Sequence, residues 1–193
     1  YTAYQSFDSL FHAVECYLSR MHNEMSDTYA LKALDLIAGY LPRAVADGSD
    51  LEAREQLAFG GILAGSSLTI STCISAHSLE YAMSGLHGGL PHGAGLLMLS
   101  DAYYGYLTDR HCCDQRFVRM ARALHMRRPK DAREFLEALA RLRQSCGVDD
   151  LKMSDYGLTR EEAPRIAKLA RSAMGKLFLF DPLPMDSEAC EEI

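Results

Sequence analysis

The chain is 193 residues long, with 20 Lys+Arg against 26 Asp+Glu, a net charge of −6, 48% apolar residues and no Trp. That apolar fraction excludes a disordered chain, the lack of a basic excess excludes a general nucleic-acid binder, and the length allows one domain with a real core. The chain opens on Tyr1 with no signal-peptide pattern, and the expectation is a fragment or excised domain.

Residues 7–20 place Phe7, Leu10, Phe11, Val14, Tyr17 and Leu18 at helical spacing. Residues 26–47 follow as a second helix, with Ser26 or Asp27 as N-cap and Pro42 set to kink or end it. Asp47-Gly48-Ser49-Asp50 reads as a turn whose Asp50 caps the next helix. Between Glu55 and Asp101 there is a single formal charge, Glu80. Ser66, Ser67, Thr69, Ser71, Thr72, Ser75 and His77 dilute the hydrophobicity of Gln56 to Leu79 too far for a membrane span. The expectation there is one or two helices buried all round, with Gly60, Gly61, Ala64 and Gly65 allowing close approach. Residues 114–126, 130–146 and 159–175 are amphipathic, the last opening on a Thr159–Glu162 capping box. No period-2 run or Asn-Gly hairpin signal occurs, so the predicted fold is an all-α bundle of about seven to nine helices.

Six cysteines, Cys16, Cys73, Cys112, Cys113, Cys146 and Cys190, form no CxxC pair and read as reduced thiols of a cytoplasmic protein.

Seven histidines are present, and His22, His111 and His125 lie in charged, solvated surroundings. Asp8 and His12 stand one helical turn apart and share a face. His77 sits in a segment expected to be buried, and His92 follows Pro91 at a helix start. One carboxylate and three imidazoles suit Fe(II), Zn(II) or Mn(II). The same spacing also occurs in surface Asp/His pairs and in hydrogen-bonded core histidines, so it leaves those readings open.

The segments FDSLFHAVECYLS, DTYALKALDLIAGYLPRAVADGSDLEARE and SAHSLEYAMSGLHGGLPHGAGLLML closely resemble the C-terminal half of iron-containing (group III) alcohol dehydrogenases. The resemblance runs over residues 2–184 and is nearest the butanol-dehydrogenase-like branch, with its HALEHALSG…PHGAGLA pattern. It implies a multi-helix bundle of the type shared with dehydroquinate synthase, so that residues 1–193 form a C-terminal α-helical metal- and substrate-binding domain. It also implies a nucleotide-binding N-terminal domain that these residues do not include. The family's Asp and three His ligands fall on Asp8, His12, His77 and His92, while His87 remains a pocket residue outside the ligand set. The implied activity is oxidation of an alcohol to an aldehyde or ketone, with hydride passing to NAD or NADP held by the other domain. A Lewis-acid metal would lower the alcohol's pKa. The family is compatible with a homodimer, and neither nucleic acid nor membrane is an implied partner.

The chain departs from the family in two ways. The second His of HALEH is replaced by Tyr81, the candidate catalytic residue, whose phenol can donate a hydrogen bond but titrates far above neutral pH. No GGGS-type, GxGxxG or P-loop segment occurs. Tyr81 supports an alternative reading: a catalytically inactive metal-binding module, or a structural relic of the family.

Overall fold

The computed structural model describes residues 1–193. Nine α-helices and three short 3-10 turns make up the chain, with no strand. The helices are α1 (Thr2–Leu18), α2 (Glu24–Ala46), α3 (Leu51–Ile70), α4 (Ser75–Leu86), α5 (His92–Asp109), α6 (Asp114–Ala123), α7 (Glu134–Ser145), α8 (Ala163–Met174) and α9 (Ser187–Glu192). The 3-10 turns are Met153–Tyr156, Arg160–Glu162 and Gly175–Phe180.

Helix α1 is the axis of the bundle and packs against α2, α3 and α5. It buries Phe7, Leu10, Phe11, Val14, Tyr17 and Leu18, the apolar set its spacing predicts. Each of these side chains stabilises the fold by roughly 1.5–3 kcal/mol through burial. Phe11 stacks on Tyr104 of α5 at 6.0 Å, and Tyr104 meets Phe135 of α7 edge-on at 5.6 Å. This aromatic file joins α1, α5 and α7 in one core.

Three local expectations are corrected. Helix α2 begins earlier than predicted: Asn23 is its N-cap and accepts from the Met25 and Ser26 N–H groups, while Ser26 serves as the reciprocal partner of a capping box. Asn matches Ser and Asp as a cap, so the true start lies one turn before the predicted one. Pro42 neither ends nor breaks α2, which runs on to Ala46. Leu41 and Ala44, on either side of it, are buried and hold that last turn by packing. Helix α3 is not buried all round, since only Ala53, Gly60, Ala64 and Ser67 are enclosed, while Leu51, Phe59 and Ile62 are exposed. Its small residues face α2, where a Cβ at Gly60 would stand 3.2 Å from Ile37. Helix α4, by contrast, is buried over most of its length. The Asp50 cap of α3 and the Thr159–Glu162 capping box form as predicted.

Helices α3 and α4 meet at 108° across the break at residues 71–74, and no single helix is long and apolar enough to cross a membrane. The start of α4 is capped from far along the chain: Asp181 Oδ1 accepts from the Ser75 N–H and Oγ, both at 3.0 Å, and from the Tyr103 hydroxyl at 2.8 Å. The start of α5 lies on α1 at Gly93, where an added Cβ would stand 2.2 Å from the Tyr4 carbonyl oxygen. Only glycine permits that approach, and it carries His92 to Asp8, one turn beyond Tyr4. All six thiols are free.

Candidate metal centre

Asp8 and His12 project from α1, His77 from α4 and His92 from the first position of α5. The four meet around one atom. Asp8 Oδ1 is 3.3 Å from His92 Nε2, 3.4 Å from His77 Nε2 and 3.6 Å from His12 Nε2. A tetrahedral ion with bonds of about 2.1 Å separates its ligand atoms by about 3.4 Å, so these distances are of the size that ligands of one ion would have. The donor atoms of Asp8, His77 and His92 all lie within 4.8 Å of one another. His12 stacks on His77, ring centroids 4.6 Å apart, and belongs to a second such set with His77 and Cys73.

Two buried carboxylates, unforeseen in the sequence, fix the rings. His77 Nδ1 donates to Glu15 Oε1 at 2.6 Å, and the other oxygen of Glu15 accepts from the Ile74 N–H at 2.8 Å. His92 Nδ1 donates to Glu80 Oε2. Glu15 and Glu80 are both fully buried. A carboxylate only accepts, so each Nδ1 must carry a proton, and each Nε2 is the nitrogen that faces Asp8.

The charges of the cluster are coupled. Burial works against ionisation of Asp8, but hydrogen bonds from His77 and His92 outweigh it and hold the carboxyl well below the usual range. Burial also works against protonated His77, yet Glu15 and Asp8 push it up to about 10. His92 is likewise disfavoured by burial but pushed up to about 9 by Asp8 and Glu80. His12 is lowered by burial and by the charge of His77. The donor set and its supporting carboxylates therefore fit a divalent ion.

Tyr81 lies one turn after His77 and stacks on the His92 ring at 5.1 Å, nearly parallel at 8°. It is 42% exposed, so its ring forms a wall between the donor cluster and solvent. His87 is not part of the cluster and pairs with Glu162 at 3.1 Å. His111 and His125 are exposed and pair with Asp114 and Asp35, while His22 pairs with Asp27. The clue to Glu80 stands in the sequence, as the only charge in a long neutral stretch. Glu15 carries no such mark, because its role depends on α4 crossing α1.

Residues 2–193 match the C-terminal model of the Fe-containing alcohol dehydrogenase family. The chain is 31% identical over 176 residues to the 1,3-propanediol dehydrogenase of Citrobacter freundii, covering 88% of this chain and 44% of that protein. It is 30% identical over 159 residues to the probable alcohol dehydrogenase EutG of Escherichia coli. The crystal structure of an archaeal halo-thermophilic alcohol dehydrogenase from a Red Sea brine pool superposes with a TM-score of 0.92 at 28% identity, covering 99% of this chain and 49% of that one. A 1,3-propanediol oxidoreductase structure superposes with a TM-score of 0.90 at 26% identity, covering 98% of this chain and 49% of that one. The chain thus spans about half the length of the relatives it matches.

Proposed function

The chain belongs to the Fe-containing alcohol dehydrogenase family as its C-terminal domain, and from that premise we propose that it is the metal-binding half of an NAD(P)-dependent alcohol dehydrogenase. The observation that carries this reading is the convergence of three imidazole nitrogens on Asp8 Oδ1 at 3.3–3.6 Å, two of them locked by buried carboxylates.

Asp8, His12, His77 and His92 would hold the ion, Fe(II) by family, with Zn(II) or Mn(II) accepted by the same donors. When bound, such an ion supplies Lewis-acid polarisation of an alcohol or carbonyl oxygen. Three neutral imidazoles and one carboxylate leave a divalent complex at net +1, which favours an anionic oxygen over a neutral one. Glu15 and Glu80 hold a proton at Nδ1 of His77 and His92, so that Nε2 of each ring is the nitrogen that would meet the ion. Tyr81 shields the His92 side of the cluster, and its phenol is the group that would offer a hydrogen bond to substrate there. Burial, followed by Cys73 and Asp8, raises the Tyr81 pKa further, so this residue acts by hydrogen bonding and not by ionising near neutral pH.

Hydride transfer needs a nicotinamide held against the cluster. We assign that task to a nucleotide-binding domain outside these residues, in a cytoplasmic enzyme. Positioning is a large part of such a rate, so residues 1–193 alone are expected to show no turnover. The test is a panel of small alcohols and aldehydes with NAD and NADP, run on the full-length enzyme loaded with Fe(II) or Zn(II). Turnover that disappears on removing the metal supports the reading. Turnover that survives complete metal removal, or a loaded enzyme inactive on the whole panel, overturns it.

A further inference from the structure

The segment between α3 and α4 is pinned to α1 on both sides of Cys73. The Ser71 hydroxyl donates to the Cys16 carbonyl at 3.1 Å, and the Ile74 N–H donates to Glu15 Oε2 at 2.8 Å. Glu15 is the same carboxylate that orients His77, so the loop and the imidazole share one anchor. Cys73 is thereby held against the cluster, 6% exposed. Its sulfur and the ligand nitrogens of His12 and His77 lie within 4.8 Å of one another. The pocket therefore contains two three-donor sets that share His77. One is Asp8, His77 and His92; the other is His12, Cys73 and His77.

We propose that Cys73 is a metal donor and that, with His12 and His77, it makes this pocket a site for a thiophilic divalent ion of the zinc type. The proposal rests on the reading of the cluster as a metal centre and deepens it by naming the class of ion. Zn–S bonds of about 2.3 Å and Zn–N bonds of about 2.0–2.1 Å place neighbouring donors about 3.3–3.6 Å apart. The three donors stand within 4.8 Å of one another, and binding of the ion would draw them to those separations. On binding, the Cys73 thiol gives its proton to solvent and a sulfur–metal bond forms, with no change in oxidation state. With Asp8 also bound, the thiolate and the carboxylate together balance the charge of the divalent ion. Thiolate ligation favours zinc and its analogues over Mn(II) and over Fe(II) in an otherwise N/O site.

The test is titration of the metal-stripped protein with Co(II), read by absorption. Binding to the centre gives visible ligand-field bands, and a bond to Cys73 adds a thiolate-to-cobalt charge-transfer band in the near ultraviolet. The charge-transfer band is expected in the wild type and in C112S/C113S, which removes the partly exposed thiol pair whose sulfurs lie 3.7 Å apart. It is expected to vanish in Cys73→Ser while the ligand-field bands persist through Asp8, His77 and His92. The same substitution should lower the preference for Zn(II) over Fe(II) in competition by about tenfold or more. Should the serine variant fail to fold, Cys73→Ala takes its place. Ligand-field bands without a charge-transfer band in the wild type overturn the role of Cys73 and leave the metal centre standing. Absence of any cobalt binding overturns both.

Discussion

Glu80 Oε2 and His92 Nδ1 are hydrogen-bonded across the turn from α4 to α5, and Glu80 is fully buried while His92 faces Asp8. A buried carboxylate in contact with a ligand imidazole sets the tautomer and raises the basicity of the nitrogen that meets the metal. Glu80→Gln keeps the shape and removes the charge. Metal affinity is expected to fall by about 10–100-fold, measured by competition with a chromophoric chelator. Unchanged affinity would reduce Glu80 to a packing residue.

The approach of α5 to α1 depends on Gly93. Gly93→Ala drives a methyl group into the Tyr4 carbonyl, a backbone atom that cannot rotate away. The expected cost is roughly 1–3 kcal/mol of stability, together with loss of metal as His92 moves off Asp8. Gly105, in the same helix, has no atom within 4 Å of an added Cβ. Gly105→Ala should therefore be neutral or stabilising by up to about 1 kcal/mol. Thermal denaturation of the two variants side by side checks the contrast, and equal Tm shifts would contradict it.

Tyr81 stands where the family pattern has a histidine, stacked on His92 and half exposed. In the full-length enzyme, Tyr81→Phe should lower kcat and leave metal content unchanged. Tyr81→His should move the pH dependence of turnover toward neutral, since imidazole titrates near 6.5 and phenol near 10, both approximate. If rates and pH profiles stay the same in both variants, Tyr81 serves only as a wall of the pocket.

Asp181 links α4 to the C-terminal part of the chain through Ser75 and Tyr103. Burial pushes its carboxyl up to about 7, against the hydrogen bonds that pull it down. Unfolded, an aspartate titrates near ~3.9, so between about pH 4 and pH 7 the folded chain holds a proton that the unfolded chain releases. The stability this group confers is complete below about pH 4 and is lost as pH rises through about 7. Asp181→Asn cannot ionise and keeps an acceptor oxygen for Ser75 and Tyr103. Its Tm relative to wild type should rise between about pH 5 and about pH 8, and a constant difference would place the carboxyl at its ordinary pKa.

Much of the bundle was legible from spacing. The apolar positions of α1 and the caps at Asp50 and Thr159 are local signals, and the structure keeps them. Helix α3 was misread because an uncharged, small-residue stretch looks the same whether its far side is enclosed or open. Phe59 and Ile62 are in fact exposed. Asp8, His12, His77 and His92 could be singled out as candidate ligands from residue type, and the family pattern brought them together. The contacts of Glu15 and Cys73 carry no local sequence signal, because they arise only when α4 and the loop before it fold back across α1.

The most direct test is the metal content of the purified protein after anaerobic loading with Fe(II) or with Zn(II) and removal of free ion, for wild type and for Asp8→Ala and His92→Gln. Circular dichroism confirms that the variants are folded. One tightly held ion per chain is expected in the wild type, with affinity reduced by about 100-fold or more in each variant, since each removes a ligand outright. A folded wild type that retains no ion, or variants that hold theirs as tightly as the wild type, would contradict a metal centre built on Asp8, His77 and His92.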